Sequence, residues 1–273
     1  MLICTLGDVL LDVIVRLEQP LARRDDARAA TRVGAGGQAA NVAAWAVELG
    51  AEARVVAKRG DDESALVAER ELRARGVELL GPTVAGRGGV VVSIVDLDGE
   101  RSMISDRGVS PALRAEELDV AWFRGCDVLH LSGYALLSRP IDEAGAKAAG
   151  AVRAQGGVIS VDLSAGAAIR DFGPERFLGR LAQLEPDVAF AGEAEVDALG
   201  DDPPARRLVV KHGAGGFTLV DGEEGHESHV ARDVDVLDTT GAGDALAAGF
   251  LVGGPELALE AAARCVSKVG AMP

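Results

Sequence analysis

Seven consecutive residues, Asp238-Thr239-Thr240-Gly241-Ala242-Gly243-Asp244, bring two carboxylates, two hydroxyls and two glycines directly ahead of the apolar stretch 245–252. That stretch reads as a helix, and the N–H groups of Ala242, Gly243 and Asp244 are then expected to point outward from its N-terminus. Free amides and the helix dipole together make an anion hole able to stabilise a transferring phosphoryl group. Gly241 and Gly243 permit a tight turn and the close approach of a ligand. Asp244, at the rim, is placed to accept a proton from an attacking hydroxyl. A glycine-rich helix cap with an Asp satisfying the dipole is spelled with the same letters, so this segment by itself leaves both readings open.

A second glycine-rich segment, Gly34-Ala35-Gly36-Gly37-Gln38-Ala39-Ala40-Asn41, leads into a helical stretch that ends at Leu49-Gly50. The spacing Gly34-x-Gly36-x-x-Ala39 fits a dinucleotide-binding fingerprint, which requires a good strand before it and a carboxylate closing the next strand. Residues 29–33 make a poor central strand, and the next strand ends on Lys58-Arg59, so the context fails. The chain has no GxxxxGK[ST] phosphate loop. His226-Glu227-Ser228-His229 offers two imidazoles in a charged hairpin loop without further ligands, and reads as solvated.

The elements that must position these segments alternate along the chain. Nearly continuous apolar runs at 2–6, 53–57, 127–131, 157–162, 187–191 and 207–211 read as strands buried on both faces, which is the pattern of a parallel sheet covered by helices. Asp61-Asp62 caps a helix that Gly76 stops, and Pro140 opens another that Gly156-Gly157 closes. Repetition of such units predicts a doubly wound α/β fold. Two stretches leave no room for a crossover helix: the run 9–15, directly after the first strand, and 89–105, which alternates around an Asp98-Gly99 turn. These read as strands of a small accessory sheet, a lid. Residues 216–220 and 228–234 are expected to form a late antiparallel pair.

The 273 residues carry 28 Lys and Arg against 43 Asp and Glu, a net charge of −15 that opposes binding to nucleic acid or an anionic membrane. An anionic small ligand remains allowed, because a few backbone amides can hold phosphate in an acidic protein. Hydrophobic residues make up 48% of the chain, enough for a large core and too many for intrinsic disorder. With aromatics at 3%, that core rests on Ala, Val, Leu and Ile, and no stacking platform for nucleic acid is present. Cys4, Cys126 and Cys265 lie far apart, which excludes a disulfide framework and suits a reducing compartment. No apolar run reaches the length of a membrane span and no signal-peptide pattern opens the chain, so a cytoplasmic location is expected.

Taken together the two segments resemble the signatures of the PfkB, or ribokinase-like, carbohydrate kinases. The first signature runs from Gly36-Gly37 through Asn41 and Gly50 to Gly60, and the second from Asp238 through Leu251. Between them VLHLSGY at 128–134, the stretch 158–164 and Glu193-Ala194-Glu195 fall in the family's order, so the resemblance covers essentially the whole chain. It implies a ribokinase-like α/β fold: one domain over 1–273, a doubly wound, mostly parallel sheet flanked by helices, and lid strands inserted at about 9–35 and 87–106. It implies ATP-dependent phosphorylation of a hydroxymethyl group on a sugar or similar small molecule, with a nucleoside kinase or a catalytically silent sugar-binding protein as the alternatives. Asp244 then becomes the base and Gly241, Ala242 and Gly243 the anion hole. Asp12, Gly36, Gly37 and Asn41 match positions that hold the substrate, and Lys211, Gly213, Gly216 and Thr240 fall where relatives line the nucleotide pocket. Glu195 matches the acidic residue that orients Mg²⁺ through water. Asp238 and the Lys268-Val269-Gly270 turn resemble a loop pair that binds a monovalent cation such as K⁺. Relatives also form homodimers through the lid.

The chain departs from the family pattern in three places. Gly192 stands where the family has Asn, Leu10 replaces an Asn two residues before Asp12, and Gly133-Tyr134 lies where ribokinases carry a Glu for the sugar. The last two argue against ribose itself as the acceptor.

Overall fold

The computed structural model describes residues 1–222 and 225–273. The apolar runs form a nine-stranded sheet of β1 (Leu2–Leu6), β4 (Glu52–Val56), β5 (Glu78–Leu80), β8 (Val128–Ser132), β9 (Val158–Asp162), β10 (Val188–Gly192), β11 (Arg207–Lys211), β12 (Phe217–Asp221) and β13 (Gly225–His229). Their order across the sheet is β13-β12-β11-β10-β9-β8-β1-β4-β5. The seven strands from β11 to β5 run parallel, and β12 and β13 add an antiparallel edge.

Neighbouring residues on each parallel strand feed opposite faces, as period-two geometry requires. Ile3, Val55, Val128 and Phe190 pack with α1 (Gln38–Glu48), α8 (Ala242–Gly253) and α9 (Pro255–Val266). Cys4, Val56, Leu129 and Ala189 pack on the other face with α4 (Ile141–Arg153) and α6 (Pro174–Leu184). Completing the helices are α2 (Glu63–Ala74), α3 (Gly133–Leu136), α5 (Gly166–Phe172) and α7 (Glu193–Leu199).

A separate four-stranded sheet has the order β3-β2-β6-β7, with β2 at Leu10–Leu17, β3 at Ala29–Gly36, β6 at Gly89–Val95 and β7 at Arg101–Asp106. Residues 29–33 are thus an edge strand of this sheet, which explains why they make a poor central one. Register places Val33, Val13, Val92 and Ile104 in one row across the four strands. Val33 and Ile104 are exposed, and Val13 and Val92 half-exposed. The alternate row holds the buried Ile14 and Ser93, so the sheet turns one face to the body and presents an apolar face to solvent.

Two boundaries differ from the sequence reading. The last strand is 225–229, not 228–234. Its ladder stops where Phe217 pairs His229, because the backbone turns away at Gly216, with φ +91° and no room for a Cβ within 2.0 Å of the His229 carbonyl oxygen. Pro140 sits at the cap position, and α4 begins one residue later. Asp62 caps α2 as expected: its Oδ1 accepts from the N–H groups of Ala65 and Gly88 and from the Ser64 hydroxyl, tying the helix to the start of the second sheet. Asp62→Ala should therefore cost about 1–2 kcal/mol, read as a lower urea midpoint with unchanged slope.

Candidate functional site

Strands β9, β10 and β11 end on Asp162, Gly192 and Lys211, and the carboxyl ends of a parallel sheet are where α/β proteins bind ligands. The N-terminus of α8 meets them there. Gly241 takes φ +78°, and a Cβ on it would lie 2.5 Å from that of Ala271, so only glycine makes this turn. The Ala242 N–H is not free as expected: it folds back onto the Thr239 carbonyl at 3.3 Å. The N–H groups of Gly243 and Asp244 have no protein acceptor among the described residues, so the unengaged amides begin one residue later than expected.

Asp244 Oδ2 accepts a 2.7 Å hydrogen bond from Asn41 Nδ2, which brings together the two glycine-rich segments found in the sequence. Burial lifts the Asp244 carboxyl to about 7; the Asn41 hydrogen bond opposes the rise, Asp162 and Asp12 add to it, and Lys211 counters it. Asn41 is itself buried, and its Oδ1 has no partner. Asp12 lies over Gly36, where any Cβ would overlap its carboxyl group. Burial and the nearby Glu71 raise Asp12 to about 7 against the pull of Arg101. Gly37, at φ +95° and against the Asp8 carbonyl, has no room for a side chain either. The expected substrate residues therefore do converge on Asp244.

Glu195 is half committed. Its Oε1 accepts from the Gly166 N–H at 3.1 Å and its Oε2 from the Gly192 N–H at 2.5 Å. Each oxygen keeps a further lone pair, which fits Mg²⁺ held through water rather than directly. A Cβ at Gly192 would lie 2.7 Å from Oε2, the far end of a flexible side chain, so nothing in this contact explains the glycine where the family has Asn. The Lys211 ammonium donates to Asp162 Oδ2 at 2.7 Å, beside Gly243. Gly213 and Gly216 shape the turn from β11 to β12. Thr240 donates to Asp238 through both its N–H and its hydroxyl, and its oxygen accepts from Arg101. A cleft of about 660 Å³ opens between Arg232, Val234 and the α9 residues Glu260 and Arg264, reaching Lys268.

The expected monovalent-cation site does not fit such an ion. Asp238 already accepts from Thr240 and from the Gly270 N–H, the Val269 carbonyl accepts from Arg32 Nη1 at 2.6 Å, and Arg101 stands 3.9 Å from Asp238. Guanidinium groups of the second sheet hold these loops where a cation would.

The sequence reading missed Asp162, although a carboxylate closing a buried strand at its carboxyl end is a readable signal. It also missed the cluster in which Arg107 pairs bidentately with the buried Asp8, donates to the Ser138 hydroxyl and stacks over Tyr134. Nothing local marks that cluster, because its members come from three separate segments, at residue 8, at residue 107 and at residues 134–138.

The folded state binds a proton at Asp244 more tightly than the unfolded chain does, so this group lowers stability as pH rises from about 4 to 7. Asp244→Asn should raise Tm at pH 8 by about 2–4 °C for each kcal/mol of relieved desolvation, and the gain should vanish towards pH 4. A Tm gain independent of pH would contradict the raised carboxyl.

Comparison with known proteins agrees with this geometry. The pfkB family carbohydrate kinase model matches residues 1–272. The chain is 36% identical to an ATP-dependent ribose-1-phosphate kinase of Halopiger xanaduensis over 95% of this chain and 88% of the relative, and 30% identical to an Escherichia coli fructokinase over 80% and 76%. Its fold superimposes on the crystal structure of adenosine kinase from Sinorhizobium meliloti with a TM-score of 0.87 at 25% identity, covering 99% of this chain and 95% of that one. A doubly wound sheet with a small separate sheet, and a glycine-rich turn that opens the last helix pair, are thus parts of one known architecture: the chain belongs to the pfkB family of carbohydrate kinases.

Proposed function

We propose that this kinase transfers the γ-phosphoryl group of ATP to a hydroxymethyl group of a sugar, and that the acceptor is a phosphorylated pentose of the ribose 1-phosphate kind. The observation that carries the catalytic part is Asp244: a carboxyl group poised near neutral pH, oriented by Asn41, at the unengaged amides of α8. Asp244 takes the acceptor's hydroxyl proton as the new oxygen–phosphorus bond forms and the bond to the bridging oxygen of ADP breaks, then releases that proton to solvent. The amides of Gly243 and Asp244 hold the charge on the transferring group. Mg²⁺ arriving with ATP neutralises phosphate charge when bound, and Glu195 holds it through water. The unpartnered Asn41 Oδ1 and the carboxylate of Asp12 are acceptors for sugar hydroxyls. The cleft beside α9 receives the nucleoside end of ATP, and the second sheet covers the acceptor and excludes water.

Two observations support an anionic acceptor. The relative at 36% identity acts on ribose 1-phosphate. Gly133-Tyr134 also lies where ribokinases place a Glu, so a carboxylate that would repel an acceptor phosphate is missing there, and the Arg107 guanidinium over the Tyr134 ring is itself paired with Asp8. The likeness to adenosine kinase makes a nucleoside the second reading. An ADP-release assay should give the highest kcat/KM for ribose 1-phosphate over ribose, fructose and adenosine. That value should fall about tenfold per unit below pH 7, and Asp244→Asn should lower turnover by at least ~10²-fold. Preference for adenosine would favour the nucleoside reading, and no acceptor-stimulated release would leave a silent scaffold.

The apolar outer face of the second sheet supports a homodimer formed through it. Val92→Asp should then sediment as a monomer at micromolar concentration, where the native chain sediments as a dimer. A native monomer would reject this assembly.

A further inference from the structure

Lys211 and Asp162 form an ion pair with Asp162 only 1% exposed, which is an expensive arrangement unless the charge is used. Register explains how they meet. Lys211 pairs with Gly192 on the neighbouring strand, and Asp162 closes the strand beyond, so all three lie at the carboxyl end of the sheet. The Lys211 ammonium has three donors, and Asp162 takes one. The other two have no protein acceptor among the described residues. A Cβ added to Gly243 would lie 3.2 Å from Nζ, so the ammonium rests against the first turn of α8, next to the two unengaged amides.

We propose that Lys211 is a catalytic residue of this kinase: its ammonium, held in place by Asp162, donates to the transferring phosphoryl group alongside the amides of Gly243 and Asp244. This rests on the proposed reaction. Asp162 is the positioning residue. Burial alone would favour a neutral amine, but the attraction and hydrogen bond of Asp162, with Glu195 and Asp244 nearby, keep Lys211 charged. The lysine also stands beside Gly192, where the family's Asn is missing, and supplies from the next strand a donor that the glycine cannot.

The test separates a transition-state contact from ordinary nucleotide binding. Lys211→Met should lower kcat by ~10²-fold or more while KM for ATP stays within about threefold, as loss of a donor used only in the transition state does. A binding measurement without turnover gives the second readout. By calorimetry with Mg²⁺ and acceptor present, Lys211→Met should bind ADP within about threefold of the native protein but bind ADP with aluminium fluoride at least tenfold more weakly. Equal weakening of both complexes, or a raised KM for ATP with kcat retained, would overturn the assignment. The Lys211→Met/Asp162→Asn double variant leaves no unpaired buried charge, and it should show the same pattern if the single variant folds poorly. A native protein that transfers no phosphoryl group to any acceptor would defeat the proposed function. Unaltered aluminium fluoride binding in Lys211→Met would defeat only the role of Lys211.

Discussion

The 2.7 Å hydrogen bond from Asn41 to Asp244 joins residues 203 positions apart, and the site exists only because the fold closes that gap. Asn41 is fixed by the first helix after the second sheet, and Asp244 by the first turn of α8. The two helices pack side by side on one face of the main sheet. Any relative shift between them would release the carboxyl from its orienting amide. The hydrogen bond also sets the chemistry, since it opposes burial and holds the carboxyl within reach of neutral pH instead of above it. Both the position and the proton affinity of the proposed base therefore depend on how two helices from opposite ends of the chain are packed.

Around that bond the molecule gathers charges that the bulk composition would not suggest. The chain is strongly acidic, yet the proposed phosphate end of its site is lined by backbone amides and a lysine, and the loops beneath it are gripped by Arg16, Arg32 and Arg101 from the second sheet. Acidic surface and cationic floor are compatible because the anion is met by a few directed donors and not by a diffuse field. Arg16 and Arg101 couple the second sheet to the turn before α8, so the proposed acceptor cover is tied to the amides proposed to hold the phosphoryl group.

Much of this was readable from the chain. The parallel strands showed themselves because each is buried on both faces, and the two glycine-rich segments because a tight turn before a helix leaves few other spellings. The convergence of Asp12, Gly37, Asn41 and Asp244 followed from the family resemblance, since no spacing rule places residues 12 and 244 together. What stayed hidden was pairing across distance. The clasp of Arg107 on Asp8, the bond of Lys211 to Asp162 and the grip of Arg32 on the Val269 carbonyl each join segments whose local sequences carry no sign of a partner. The engagement of the Ala242 amide was missed for a smaller reason: the turn begins its hydrogen bonding at Thr239, one residue before the helix.

Glu195 and Gly192 also bear on how this chain could have changed over time. The carboxylate sits in the space that a side chain at 192 would fill. An amide side chain there would meet only the far end of the flexible Glu195 side chain, which can turn aside and loosen its hydrogen bond to the Gly192 N–H. Since Glu195 keeps the family's residue type and only position 192 differs, a change at 192 alone would alter how tightly the carboxylate is held without requiring a change at 195.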